Sequence, residues 1–118
     1  DGTGIRDYLH VMDLAEAHAS TFDYLLRQTD STQLTLNLGT GRGLSVLEVI
    51  HGFENVTGIN IPYEIVARRP GDVPRSEASP LLAKKILNWT AKRSLEDMCR
   101  DGWAWQSANP HGYQQDNP

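Results

Sequence analysis

Arg68, Arg69 and Arg75 crowd one short segment around Asp72, and Pro70, Gly71 and Pro74 deny that segment regular structure. Arginine forks match phosphate oxygens bidentately. A carboxylate a few residues away suits sugar hydroxyls. Together they suit a nucleoside diphosphate or a nucleotide sugar, and equally a solvated charged loop. A second candidate is Gly39-Thr40-Gly41-Arg42-Gly43, a turn between an expected strand and an expected helix, where a phosphate loop would lie. The dinucleotide pattern needs Gly where Leu44 stands, and no Gly-Lys-Ser/Thr is present. A tight turn with positive φ explains the same glycines.

The other reactive side chains form no constellation. His10, His18, His51 and His111 show no metal-site spacing with a carboxylate or thiolate. Cys99, the single cysteine, sits beside Arg100 and reads as a small apolar residue on a helix. It excludes an internal disulfide framework. Trp103 and Trp105, with Trp89, could form a stacking platform, but packing of a last helix on the body is the simpler role. Asn55-Val56-Thr57 and Asn88-Trp89-Thr90 match the glycosylation pattern, which is short enough to arise by chance.

The elements that must position these groups follow from periodicity and caps. Ile5 to Val11 reads as a strand. Asp13, with Glu16 three residues on, predicts a helix over 13–28 with Leu14, His18, Phe22 and Leu25 on its apolar face. Leu34, Leu36 and Leu38 alternate with Thr35 and Asn37 as a strand. Ser45 and Glu48 form a capping box for a helix that Gly58 ends. Ile61, Tyr63 and Ile65 alternate as a third strand. Ser79 caps a short helix with Pro80 at its first position, running to Leu87. Ser94 caps the last helix, ended by Pro110. Strands alternating with helices predict an α/β unit.

The chain has 118 residues, 39% hydrophobic and 22% charged, with a net charge of −4. The surface-scaling rule gives roughly 6,400 Å² folded against roughly 19,000 Å² unfolded, enough for one core. The acidity disfavours nucleic acid. No apolar run approaches ~18 residues, so no membrane span is expected. The start, Asp1-Gly2-Thr3-Gly4, has no basic-then-apolar leader, so no signal peptide and a cytoplasmic location are expected. A start in mid-phrase also reads as a piece of a longer protein.

The stretch Asp1-Gly2-Thr3-Gly4-Ile5-Arg6-Asp7-Tyr8-Leu9-His10-Val11-Met12-Asp13-Leu14-Ala15 closely resembles a motif of the UDP-glucose 4-epimerases, NAD-dependent members of the extended short-chain dehydrogenase/reductase superfamily. Further matches follow in the same order: Asn37-Leu38-Gly39-Thr40-Gly41, Ser45-Val46-Leu47-Glu48-Val49, Arg68-Arg69-Pro70-Gly71-Asp72, Leu87-Asn88-Trp89, and Trp103-Ala104-Trp105-Gln106 before Asn109-Pro110. The resemblance implies the C-terminal, substrate-binding portion of such a chain, with short strands alternating with helices. Residues 1–108 would form it and 109–118 an irregular tail. The family's Rossmann half, with its NAD loop and Tyr-x-x-x-Lys pair, would lie outside these residues. Here Tyr8, Tyr24, Tyr63 and Tyr113 are followed at that spacing by Met12, Gln28, Ala67 and Asn117.

By the same resemblance the full protein would be an isomerase of galactose metabolism, interconverting UDP-glucose and UDP-galactose through NAD-linked oxidation at C4. Arg6 and Arg69 would contact the diphosphate, Asp72 the uridine ribose, and Tyr8 would line the nucleotide site. Ser76, four residues after Asp72, would face the sugar, where a small residue leaves room for the N-acetyl group of UDP-N-acetylglucosamine. No catalytic, cofactor-binding or metal-binding residue falls on this chain, which by itself is expected to be inactive and to self-associate or form homo-oligomers. The stretch Pro74-Arg75-Ser76-Glu77-Ala78-Ser79 departs from the usual pattern: Arg75 and Glu77 are uncommon there, and Ser79 replaces an aspartate N-cap. A dehydratase or decarboxylase acting on another sugar nucleotide, and a stand-alone nucleotide-sugar-binding or interaction domain without catalysis, are the alternatives.

Overall fold

The computed structural model describes residues 1–113; the last five, part of the expected tail, lie outside the described residues. Three two-residue strands and four helices follow in the order β1 (Ile5–Arg6), α1 (Val11–Leu26), β2 (Leu44–Ser45), α2 (Val46–Thr57), β3 (Arg75–Ser76), α3 (Leu81–Leu87) and α4 (Leu95–Ala108). The α/β expectation holds, but most of the strands stand elsewhere. Of the first expected strand only Ile5–Arg6 remains. The alternating residues 34–38 and 61–65 form no strand, while β2 and β3 form in segments expected to be a helix cap and a charged loop. β1 is central, antiparallel to β2 (Ile5 opposite Ser45, Arg6 opposite Leu44) and parallel to β3 (Ile5 opposite Arg75, Arg6 opposite Ser76).

The helices begin and end where local chemistry requires, with two exceptions. Ser45 and Glu48 form the expected capping box, and Gly58 ends α2 in the left-handed region at φ 69°. Ser94 and Asp97 cap α4 in the same way. The Ser94 amide, then the Arg100 guanidinium and the Ser94 hydroxyl, pull the Asp97 carboxyl from 3.8 to about 2. Asn88 ends α3 with φ 52°, a conformation asparagine tolerates well, which gives that residue of the sequon a backbone role. The first exception is α1: its N-cap is His10, not Asp13. His10 Nδ1 accepts the Met12 N–H at 3.0 Å. The ring proton therefore sits on Nε2, which donates to Asp101 of α4 at 3.1 Å. The second is α3, where Pro80 itself is the N-cap and no side chain caps the helix.

Asp13 has a different task. It is fully buried and accepts the Lys92 amide at 3.0 Å, the Arg93 amide at 2.9 Å and the Arg93 guanidinium at 2.5 Å. The other arm of the guanidinium donates to Glu16 at 2.8 Å, so both residues of the expected capping box serve this network. Burial opposes the Asp13 charge, but the two amides and Arg93 outweigh it and hold the carboxyl below the usual range.

The core is thin. Ala17, Ala83 and Trp89 form its buried centre, with Leu9, Leu36, Leu38, Leu87 and Ala91 against it. A second contact joins α2 to α4 at Gly52. A Cβ there would lie 3.0 Å from the Leu95 Cδ2 and 3.3 Å from the Cys99 sulfur, so glycine sets the close approach. Trp103 and Trp105 are only partly covered, at 41% and 43% exposed, and His18 is exposed too. Accessible surface totals 9004 Å², well above the roughly 6,400 Å² of a compact chain this long. Val11 is 70%, Phe22 62% and Leu26 68% exposed along α1. Among the described residues no helix is long and apolar enough to cross a membrane.

Candidate functional site

The arginine segment is built by a turn its sequence dictates. Pro70 and Gly71 occupy the two central positions of Arg69–Asp72, Gly71 takes φ 84°, and the Asp72 N–H returns to the Arg69 carbonyl at 3.2 Å. The turn brings Arg69 Nε to 3.0 Å from Asp72 Oδ2, an ion pair on the open surface. Arg6, on β1, donates from Nη1 to its neighbour's carbonyl at Ile5 (2.7 Å) and across the chain to the carbonyl of Val73 (3.1 Å). The segment after the turn is thus tied to the central strand, and the Ile5 N–H holds the Pro74 carbonyl at 2.9 Å.

Between this segment, the N-terminal turn and the start of α2 lies an open cleft of about 630 Å³. Arg6, Arg68 and Arg69 supply its positive charge and Asp1, Glu64 and Asp72 its negative charge, with Tyr63 and Ile65 part of its apolar wall. Two of the three residues whose alternation suggested a third strand, Tyr63 and Ile65, are therefore cleft lining. Three of the five residues singled out in the sequence, Arg6, Arg69 and Asp72, meet here. Tyr8 does not: it lines a separate cleft of about 570 Å³ with Arg42, His51 and the start of α4. Ser76 lines neither cleft and is exposed on β3, opposite Arg6 in the strand register.

The glycine loop is closed to anions. The Thr40 and Gly41 amides both donate to Asp7 at 2.9 Å, and the Thr40 hydroxyl does so at 2.6 Å. The Gly43 amide donates to Glu77 at 2.6 Å, and the Arg42 amide to the Thr40 hydroxyl. An incoming phosphate would meet two carboxylates and no free amide from Thr40 to Gly43. The glycines serve packing instead. A Cβ on Gly39 would lie 2.6 Å from both Ala78 Cβ and Asp7 Oδ2, and one on Gly43 would overlap Glu77 and Ile5. Among the described residues no group of three or more His, Cys, Asp or Glu is placed to hold a metal ion. Asp7, Asp13 and Glu77 escaped the sequence reading as structural anions. Only the unusual residue type of Glu77 at its position gave a signal.

No protein-family model matches the chain. It is 57% identical over 113 residues to a UDP-glucose 4-epimerase of Yersinia enterocolitica, covering 96% of this chain and 32% of that one. Among solved structures it resembles the UDP-glucose 4-epimerase of Stenotrophomonas maltophila with bound NAD and formylated UDP-arabinopyranose. The TM-score is 0.87 and the identity 52%, over 93% of this chain and 32% of that one. The enzyme of Bifidobacterium longum, in complex with NAD+ and UDP, gives a TM-score of 0.87 and 44% identity, over 96% of this chain and 33% of that one. The chain spans about a third of the length of the relatives it matches.

Proposed function

From a chain homologous to about a third of the UDP-glucose 4-epimerases, we propose the UDP-sugar-binding portion of such an enzyme, in the C-terminal part of its polypeptide. The observation that supports this reading is the meeting of Arg6, Arg69 and Asp72 at one cleft. A diphosphate entering it would take the Arg69 fork from Asp72, exchanging one bidentate anion for another and freeing the carboxylate for the ribose hydroxyls. Arg6, already anchored to Val73, would meet the same phosphates from the sheet. Tyr8 would face the nucleotide from beyond β1, and Ser76, beside Arg6 in the register, the sugar. The substrates would be UDP-glucose and UDP-galactose, with UDP-N-acetylglucosamine as a further one, in a cytoplasmic enzyme.

In an epimerase the nicotinamide cofactor would supply the hydride exchange at C4 of the sugar. The glycine loop of this chain does not fit that cofactor, because Asp7 and Glu77 fill its amides. Cofactor and catalytic base would come from the rest of the polypeptide, and these 118 residues by themselves would bind without turnover. Calorimetry on the full-length protein tests the binding role. Arg69→Ala is expected to weaken UDP at least about tenfold, the loss of a charge-assisted fork. Equal affinity before and after would refute it.

The sugar end has its own test. Ser76→Tyr is expected to lower turnover of UDP-N-acetylglucosamine about tenfold or more relative to UDP-glucose, because overfilling a pocket costs about 1–3 kcal/mol. An unchanged ratio removes Ser76 as the gate.

A further inference from the structure

We propose that Glu77, together with Asp7, is a positioning residue for the wall of this cleft; the proposal rests on the UDP-sugar reading above. Each strand of the sheet is two residues long, too short to fix its own register. Two carboxylates do so at one end of it. Asp7 follows β1 directly and gathers the Thr40 and Gly41 amides, which lead into β2, and the Ala78 amide at 3.3 Å, which follows β3. Glu77 closes the same end from the other side. Its Oε1 takes the Gly43 amide at 2.6 Å, next to β2, and the Arg75 guanidinium of β3 at 2.7 Å.

All three strands are therefore tied by side chains that reach across β1. Register matters because a slip of one residue turns every side chain to the opposite face. Such a slip of β3 would take Ser76 away from Arg6 and drag Val73 and Asp72 with it. The close fit of Gly39 and Gly43 against Ala78, Asp7, Glu77 and Ile5 leaves the loop one seat. Burial opposes the Asp7 charge, but the Thr40 hydroxyl and the three amides outweigh it; Glu77 is lowered chiefly by Arg75. Both carboxylates are thus held ionised, so their oxygens accept from these donors.

The test combines amide hydrogen exchange with steady-state kinetics on the full-length protein. Glu77→Ala is expected to speed exchange at Gly43 about tenfold or more, the loss of one charge-assisted bond. It is expected to raise KM for the UDP-sugar about three- to tenfold with kcat little changed, as for a lost ground-state contact. Glu77→Gln keeps an oxygen for Gly43 and is expected to restore most of both. Glu77→Asp keeps the charge but falls a methylene short, and is expected to behave like Glu77→Ala; it decides the matter if the alanine variant does not fold. Unchanged exchange, faster exchange with unchanged KM, or no rescue by glutamine would each overturn the proposal. Failure of the unaltered protein to bind UDP would remove the cleft reading and the positioning role with it. Binding intact with KM insensitive to Glu77 would remove the positioning role alone.

Discussion

Replacing Asp13 with alanine is expected to cost about 3 kcal/mol of stability, at the low end for breaking a buried ion pair because Arg93 keeps partial access to water. On a chain of this size that is a fall in Tm of about 10–15 °C. Three donors converge on this one carboxylate, so its loss strands the Lys92 and Arg93 amides as well as a guanidinium arm. Asp13→Asn, with one acceptor oxygen left, should fall between. The effect has a pH signature. The carboxyl titrates below its ordinary 3.8 in the folded chain, so its stabilisation is complete above that value. It is lost as pH falls through the folded value. Asp7 acts in the same direction, and Asp97 extends the window to about pH 2. Thermal melts from pH 6 downwards should show a shallower acid slope in Asp13→Ala than in the unaltered chain. A Tm within about 2 °C of the unaltered chain at neutral pH would refute the role of Asp13.

Prepared as these 118 residues alone, the chain is expected to associate into dimers or larger species. It exposes about 2,600 Å² more than a compact chain of its length. A stable interface needs only about 800 Å² from each partner. Part of the exposed surface is apolar, at Val11, Phe22 and Leu26 of α1. Residues 34–38 keep a strand's alternation, Leu36 and Leu38 turned to the core and Thr35 and Asn37 outward, without being a strand. Light scattering at high concentration should give a mass above that of one chain, shifting toward it in Phe22→Glu/Leu26→Lys. A sharp monomer peak for the unaltered chain would refute the expectation.

What was legible in the sequence was what a few neighbouring residues decide. Ser45 with Glu48, Ser94 and Gly58 each complete a hydrogen bond within a turn of helix, so local sequence alone locates them. Strands need partners that local sequence does not name. The alternation at 34–38 and 61–65 is real, yet β1 pairs with Leu44–Ser45 and Arg75–Ser76, segments with no alternation to read. Asp13 shows a second limit. An N-cap and a buried counter-ion look alike at the start of an amphipathic helix, and the arginine that decides between them is 80 residues away. In the site, the Arg69–Asp72 turn was readable because proline and glycine dictate it. The anions that fill the glycine loop were not, because Asp7 and Glu77 reach it from 34 residues before and after.

Cys99 gives this molecule a clock. Its thiol is 1% exposed in the seam between α2 and α4, and burial pushes its pKa up, so a thiol reagent reacts only when the helices part. With reclosing faster than reaction, the labelling rate is the opening equilibrium multiplied by the rate of a free thiol. Each ~1.4 kcal/mol of seam stability then changes the half-time about tenfold. The chain carries no other cysteine, so one modified mass reports this event and nothing else. Ligand-induced tightening of α2, whose first turns line the arginine cleft, would be read there in minutes of reaction time instead of heat.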